Sequence, residues 1–254
     1  MEWDPNQYLA FADLRLRPAL DLLARVPLAD PGTAADLGCG TGAATIPIKR
    51  RWPAARVIGV DGSAEMIAKG RAAAADVEWV QADIAAWTPD APVDLLYSNA
   101  ALHWLPDHAT LFPRLLDRVA PGGVLAVQMP RMFREPSHSL IDDVAREGPW
   151  RDRLAHLIKD PPVGDPGFYY DLLAGRVARL DMWETQYIQV LEGDAPVADW
   201  TKGTWLKSFL DALDEPDRSA FEADYRRRTK IAYPAKADGK VVLPFRRLFI
   251  VATR

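Results

Sequence analysis

A glycine-rich turn between an apolar run and a helix-forming segment is the feature that most constrains how this chain folds. The stretch from Ala35 to Gly42 reads ADLGCGTG, with its glycines at alternate positions, and an alanine-rich segment continues to Arg51. Glycine adopts positive φ easily and leaves no Cβ in the way of a ligand. The first N–H groups of the following helix have no partners within that helix and can face the ligand. Strand, glycine turn and helix in this order predict a site for a nucleotide-like ligand.

Short apolar runs alternate with helix-like segments through the first half of the chain. The runs predict strands at 33–37, 56–61, 77–81, 93–99 and 124–129, and the segments between them predict helices at 43–51, 63–75 and 111–119. Apolar strands that alternate with helices form parallel sheets covered on both faces. We therefore expect an α/β fold with a doubly wound, Rossmann-like, mostly parallel sheet.

The alternation breaks after Met129. Residues 130–167 are rich in Arg, His, Pro and Trp, and they contain one predicted helix, at 137–147. Further on, the patterns predict a helix at 169–180, a strand at 182–191, two helices within 194–228 and a last strand at 240–252. We expect one domain spanning 1–254, with an N-terminal arm and helix at 1–26, a cofactor-binding core at 30–130, and insertions at 131–167 and 194–235 that form a lid. In the arm, Trp3, Tyr8 and Phe11 either pack on the domain or close over a ligand.

Composition and charge exclude several classes of function. The net charge of −4 gives no basic surface for nucleic acid. No apolar run approaches the roughly 20 residues of a membrane span, the acidic N-terminus is unlike a secretory signal, and the single Cys39 fits a reducing cytoplasm. We therefore expect a cytoplasmic monomer or weak dimer.

His103 and His108 lie five residues apart without a nearby cysteine, so no metal is expected. The basic run at 225–230 is interpreted as a solvated helix face.

Polar side chains stand at the ends of three predicted strands. Asp61 ends the second strand, where an acid accepts hydrogen bonds from ribose hydroxyls, and Asp83 follows the third, where it can accept from an adenine amino group. Asn99 ends the fourth strand. Because ligands of open α/β sheets bind at the carboxyl ends of the strands, these side chains are expected at one site. Either aspartate alone is also explained as the N-cap of the next helix, and the glycine spacing also satisfies a relaxed dinucleotide pattern.

The glycine turn, these strand ends and the turn Pro121-Gly122-Gly123 together resemble the class I S-adenosylmethionine-dependent methyltransferases, over roughly residues 30–130. The resemblance implies a seven-stranded sheet with an antiparallel last strand, which the hairpin of 182–191 and 240–252 would supply. It implies S-adenosyl-L-methionine as the cofactor, with these contacts: Gly38, Gly40 and Gly42 along the methionine part, Asp36 beside its ammonium group, Asp61 on the ribose, Asp83 and Ile84 on the adenine, and the Asn99 backbone on the methionyl amino group. A pyrophosphate would be repelled by Asp36, which disfavours a nicotinamide-dependent oxidoreductase.

The rest of the chain resembles one branch of that family, which methylates a carboxylate of a small di- or tricarboxylic acid. The segments that carry this likeness are 3–9, 17–27, 103–108, 125–130 and 244–252. An ionised carboxylate is already a nucleophile, because its pKa of about 4 leaves it deprotonated at neutral pH. The resemblance therefore implies methyl transfer without a general base. The alternative is methylation of a hydroxyl or amine, with His103 as the base.

A polycarboxylate substrate needs cationic and hydrogen-bonding partners, because the protein as a whole is acidic. The candidates are His103, Trp104, Arg134, Tyr169 and Arg246. Each candidate also has a structural explanation: His103 as a loop histidine, Arg134 as a solvated charge and Tyr169 as an aromatic residue at the core edge. Arg246 and Arg247 alternate along a strand, so one points to each face of the sheet. The sequence leaves open which of the two faces the site.

Overall fold

The computed structural model describes residues 12–254, and the contacts among them divide the chain into two compact units. The first, here called the sheet unit, comprises Arg15–Pro130, Val163–Thr185 and Arg247–Arg254. The second, here called the helical unit, includes Arg131–Pro162 and Gln186–Arg246. The predicted core at 30–130 lies in the sheet unit, and residues 131–162 and 194–235 lie in the helical unit. A lid role for those segments stays a prediction, and Trp3, Tyr8 and Phe11 lie outside the described residues.

Within residues 12–254 the chain forms a seven-stranded sheet in the order β3-β2-β1-β4-β5-β7-β6. Its strands are β1 Thr33–Leu37, β2 Arg56–Asp61, β3 Glu78–Gln81, β4 Val93–Asn99, β5 Val119–Pro130, β6 Arg179–Leu191 and β7 Val241–Thr253. The neighbours from β3 to β5 pair in parallel, and β7 pairs with β5 antiparallel. The doubly wound, mostly parallel sheet expected from the sequence is therefore confirmed. The strand order reverses between β1 and β4, where sheets of this kind bind their ligands.

The helices are α1 Ala12–Ala24, α2 Thr45–Arg51, α3 Ala64–Ala73, α4 His108–Asp117, α5 Pro136–Glu147, α6 Arg151–Leu154, α7 Pro166–Leu173, α8 Pro196–Lys202, α9 Trp205–Asp211 and α10 Asp217–Ala232. Short 3-10 turns follow β4, α6 and α7. α4 begins three residues before its predicted start, because the Asp107 carboxylate accepts a hydrogen bond from the Thr110 N–H and caps the helix. The helix predicted at 169–180 was too long: α7 ends at Leu173 and β6 begins at Arg179.

The helical unit has an apolar core of its own, formed by α5, α9 and α10 around Phe209, Phe221 and Tyr225. The described segment 194–232 folds as three helices rather than two, because α8 ends at Lys202, with Gly203 as its C-cap. On α10, Arg226 binds Asp199 at 2.6 Å, and Arg228 binds Glu147 at 2.7 Å. The side chains of this basic run are thus ion-paired with acids of the same unit. Within the described chain, no helix is both long enough and apolar enough to cross a bilayer.

Candidate active site at the carboxyl edge of the sheet

The glycine turn joins β1 to α2 and is held against β2. The N–H groups of Gly38 and Cys39 both donate to the Val60 carbonyl, at 2.8 and 3.1 Å. Gly38 has φ +73°, and a Cβ at this position would lie 2.2 Å from the Cβ of Ala101. Gly40 has φ +55°, but no atom lies within 4 Å of the place where its Cβ would be. Packing therefore requires a glycine at position 38, whereas position 40 leaves open space for a ligand to approach the backbone.

Asp61 links the end of β2 to the glycine turn. Its Oδ2 accepts from the Gly40 N–H at 2.9 Å, and its Oδ1 accepts from the Ser63 N–H, also at 2.9 Å. These two backbone bonds fix the orientation of the carboxylate, which is only partly buried. An ionised carboxylate has about four acceptor positions, so two of them are still available to a ligand. The position and the orientation suit an acceptor for hydroxyl groups.

Asp36 provides a second, buried acid at the same edge of the sheet. It is 1% exposed, and its Oδ2 accepts from the Thr45 hydroxyl at 2.6 Å. Burial raises the pKa of Asp36 to about 7, against the lowering effect of the Thr45 hydrogen bond, and the charge of Asp61 raises it further. Because burial and the charge of Asp61 both disfavour ionisation of Asp36, a cation at this edge would stabilise the Asp36 carboxylate.

Asp83 and Ile84 follow β3. The Asp83 carboxylate is exposed, and its Oδ1 accepts from the Ala85 N–H at 2.9 Å, so it stabilises a local turn. The alternative interpretation of Asp83 as a helix N-cap is wrong, because the described residues between β3 and β4 form no helix. The Cδ1 atom of Ile84 lies 3.8 Å from the Cβ position at Gly38. The structure thus brings the segment after β3 beside the glycine turn.

The end of β4 is shaped by two residues. The Asn99 Oδ1 is buried and has no hydrogen-bond partner within the described chain, although a buried amide oxygen normally has one. Ala100 adopts φ +53°, which is rare for a residue with a Cβ, and its N–H donates to the Gln128 carbonyl at 2.9 Å. This strained turn, which the sequence did not indicate, positions Ala101 against Gly38.

One face of the sheet carries a row of polar side chains towards this edge. Asp36 pairs with Tyr97 in the register of β1 and β4, so their side chains share a face, and the Tyr97 hydroxyl donates to the Ala19 carbonyl of α1 at 2.6 Å. Two residues further along the strands, Asn99 pairs with Gln128 on the same face. Helix α1 thus covers this face at Tyr97, one step before the Asn99 and Gln128 pair.

Arg247 extends that row into β7. Gln128 pairs with Phe249, and Arg247 lies two residues from Phe249, so all three side chains point to one face. The Arg247 Nη1 donates to the Gln128 Oε1 at 3.4 Å, and both side chains are buried. Sequence reasoning missed Gln128, although a lone polar residue in the apolar run of β5 was a usable signal.

The other arginines considered for the substrate lie in the helical unit. Arg246 is 40% exposed and forms an ion pair with Glu135 at 3.0 Å, and Arg134 is exposed. Arg247 is therefore the buried member of the adjacent pair. A role in binding the substrate stays a prediction for each of these arginines, and the ion pair with Glu135 gives Arg246 a structural explanation.

The remaining candidates lie in the sheet unit. His103 is 8% exposed in the turn after β4, and its ring centroid lies 4.8 Å from that of Trp104, which is 56% exposed. Tyr169 is fully buried, and its hydroxyl bonds the His108 Nδ1 at 2.7 Å and accepts from the Gly164 N–H at 3.2 Å. These contacts favour a packing role for Tyr169, and its role in binding substrate stays a prediction.

His108 is a structural residue in this arrangement. Its Nε2 lies 3.0 Å from the Leu102 carbonyl and must be the donor there, so its Nδ1 accepts from the Tyr169 hydroxyl. Burial lowers the pKa of His108, which favours this neutral form. Because both ring nitrogens are occupied, neither is available to a metal ion.

Comparison with known proteins shows which family the chain resembles. A model of the methyltransferase domain matches residues 34–123. The chain is 51% identical to the trans-aconitate 2-methyltransferase of Azoarcus sp., and the alignment covers 99% of each chain. It is 46% identical to the enzyme of the same name from Rhodopseudomonas palustris, over 100% of this chain and 99% of that relative. It is also 46% identical to that of Streptomyces avermitilis, over 98% and 96%.

Solved structures agree on the fold. The YcgJ protein of Bacillus subtilis superposes with a TM-score of 0.60 at 14% identity, over 94% of this chain and 98% of that one. An S-adenosylmethionine-dependent methyltransferase from Thiobacillus denitrificans, solved in complex with S-adenosyl-L-homocysteine, superposes with a TM-score of 0.52 at 16% identity, over 99% and 92%. The class I methyltransferase fold implied by the sequence resemblance is thereby confirmed.

Proposed function

We propose that this chain, which belongs to the family of trans-aconitate 2-methyltransferases, transfers a methyl group from S-adenosylmethionine to a carboxylate of trans-aconitate. The products are a monomethyl ester and S-adenosylhomocysteine. The observation that carries the cofactor assignment is the pair of acids, Asp36 and Asp61, that flanks the open backbone at Gly40. The acceptor assignment rests on relatives of that name that match the chain almost end to end.

The residues of the site fit this cofactor. S-adenosylmethionine is a cation at its sulfonium and its ammonium group, and a buried acid with a raised pKa, such as Asp36, is stabilised by a nearby positive charge. The spare acceptor positions of Asp61 suit the ribose hydroxyls, and the unpartnered Oδ1 of Asn99 suits an ammonium donor. The position of Ile84 beside Gly38 supports the proposed contacts of Asp83 and Ile84 with the adenine.

The chain's part in the reaction is alignment and charge control. When bound, the cofactor supplies an electrophilic methyl carbon, and the acceptor carboxylate is ionised at neutral pH without help from the protein. A site that holds the nucleophile in line with that carbon can lower the barrier by about 7–11 kcal/mol through proximity and orientation. We therefore assign no general base, and we keep His103 as a candidate contact for the acceptor.

The proposal is tested by incubating the protein with labelled S-adenosylmethionine and a panel of di- and tricarboxylates. We expect ester formation with trans-aconitate, and a rate at saturating S-adenosylmethionine that shows no histidine-like ionisation between pH 6 and 8 because no base is required. Failure to form an ester with any member of the panel would overturn the acceptor assignment. Methylation of hydroxyl or amine compounds, with a rate that falls as a histidine becomes protonated, would favour the alternative with His103 as base.

Cofactor binding is expected to release a proton near neutral pH. Asp36 is partly protonated at pH 7 in the free protein, because burial raises its pKa to about 7, and a bound cation would lower that pKa. Affinity should therefore be full above pH 7 and should fall by up to about tenfold per unit as the pH drops below 7. Titration calorimetry in buffers of different ionisation enthalpy measures the released proton. In the Asp36→Asn variant this pH dependence should vanish, and its persistence would show that another group carries it.

A further inference from the structure

We propose that Arg247 and Gln128 form the subsite that binds a non-reacting carboxylate of the acceptor. The inference deepens the proposed function and rests on it for the identity of the acceptor. It is drawn from three features of the sheet unit: the orientation of the Gln128 amide, the burial of Arg247, and the position of both residues in the row that contains Asn99.

The Gln128 amide presents a donor that no described residue uses. Its Oε1 faces the Arg247 guanidinium, which has only donors, so the opposite assignment of the amide would place two donors against each other. The Nε2 is therefore fixed on the other side, where it is buried and has no hydrogen-bond partner within residues 12–254. A buried amide donor without a partner is costly, and an anionic oxygen is the strongest acceptor that a ligand can offer it.

Arg247 supplies the charge that a carboxylate needs. The residue is 5% exposed, and arginine presents several donors in a planar fork that matches a carboxylate. Its Nη1 donates to the Gln128 Oε1, which places the guanidinium beside the Gln128 amide. A buried cation next to an unused amide donor makes a receptor for a negatively charged planar group.

The proposed subsite lies close to the expected position of the methyl donor. Adjacent strands lie about 4.8 Å apart, so Gln128 is one strand spacing from Asn99 and on the same face. Asn99 ends the strand beside the glycine turn, where the methionine part of the cofactor is expected. A small polycarboxylate can therefore direct one carboxylate towards that turn while another lies between Gln128 and Arg247.

The neighbouring arginine provides a matched control. Arg246 has the same side chain, lies one position earlier on β7, and forms an exposed ion pair with Glu135 in the helical unit. If positive charge on β7 acted only through the overall field, Arg246 and Arg247 would contribute alike. If Arg247 binds the acceptor directly, only Arg247 will be sensitive to substitution.

The test compares Arg247→Met, Arg247→Lys and Arg246→Met. We expect Arg247→Met to raise the KM for trans-aconitate by about 10–100-fold, as loss of a charge-assisted hydrogen bond implies. The dissociation constant for S-adenosylhomocysteine should stay within about threefold. Arg247→Lys should give an intermediate KM, because an ammonium keeps the charge without the fork. Arg246→Met should leave the KM within about threefold.

A binding measurement separates this inference from the proposed function. Calorimetry of tricarballylate, a saturated tricarboxylate, against the S-adenosylhomocysteine complex needs no turnover. Affinity that is lost in Arg247→Met, reduced in Arg247→Lys and retained in Arg246→Met supports the subsite even if the wild-type protein forms no ester. Equal tricarballylate affinity in the wild type and Arg247→Lys would overturn the subsite even if trans-aconitate is methylated. Parallel losses of S-adenosylhomocysteine and tricarballylate affinity would also overturn it, since they indicate a general structural role.

Discussion

Asp61→Ala is expected to raise the dissociation constant for S-adenosylhomocysteine by about 100–10,000-fold. The carboxylate is oriented by the N–H groups of Gly40 and Ser63, and its remaining acceptor positions are those proposed for the ribose hydroxyls. Two hydrogen bonds to a charged acceptor contribute about 1.5–3 kcal/mol each, and each 1.4 kcal/mol is a factor of ten in affinity. Titration calorimetry of the purified variant measures the change.

Asp94 provides a matched control, because its carboxylate also accepts two backbone hydrogen bonds but lies elsewhere in the sheet unit. Its Oδ2 accepts from the backbone N–H groups of Gly32 and Thr33, at 2.8 and 2.9 Å, at the start of β1. Asp94→Ala therefore loses two backbone hydrogen bonds, as Asp61→Ala does, but it lies away from the carboxyl ends of the strands. We expect it to lower stability and leave cofactor affinity within about threefold. Similar affinity losses in both variants would refute the ribose assignment.

Gly38→Ala is expected to lower the free energy of unfolding by about 2–5 kcal/mol. The new Cβ would lie 2.2 Å from the Cβ of Ala101, a contact that requires the backbone to move. Positive φ costs a residue with a Cβ about 1–2 kcal/mol, and overpacking adds about 1–3 kcal/mol. Urea unfolding of the variant and the wild type measures the difference.

A substitution at Gly122 distinguishes the conformational cost of positive φ from the cost of overpacking. It has φ +78°, close to that of Gly38, but no atom lies within 4 Å of the place where its Cβ would be. Gly122→Ala should therefore show only the conformational cost, about 1–2 kcal/mol. If both variants lose the same stability, the contact between the glycine turn and Ala101 is not the constraint that the structure indicates.

Much of the sheet could be predicted from the sequence. The bounds of β1, β2 and β4 agree with those expected, because each is a short apolar run in which most residues are buried. The bounds of α4 and α7 were less accurate, because a side-chain cap at Asp107 and a 3-10 turn after Leu173 decide them. Such ends depend on single hydrogen bonds and not on a periodic pattern.

In the candidate site, too, some residues could be predicted from the sequence and others could not. The glycines and the acids at the strand ends are adjacent in the sequence to the strands that position them, so the parallel alternation was enough to predict them as a group. Tyr169 and Gln128 depend on residues distant in the sequence: His108 bonds the first, and Arg247 bonds the second. No pattern within either segment indicates those partners.

The sequence by itself determined the strand, glycine turn and helix and the acids at the strand ends, because strand alternation and the conformational freedom of glycine are local properties. Only the tertiary structure shows which of Arg246 and Arg247 is buried. Neighbouring residues of a strand point to opposite faces, and the register that pairs Phe249 with Gln128 directs Arg247 to the face shared by Asn99 and Asp36. That register is set by the antiparallel pairing of β7 with β5, and no local pattern in the sequence specifies it.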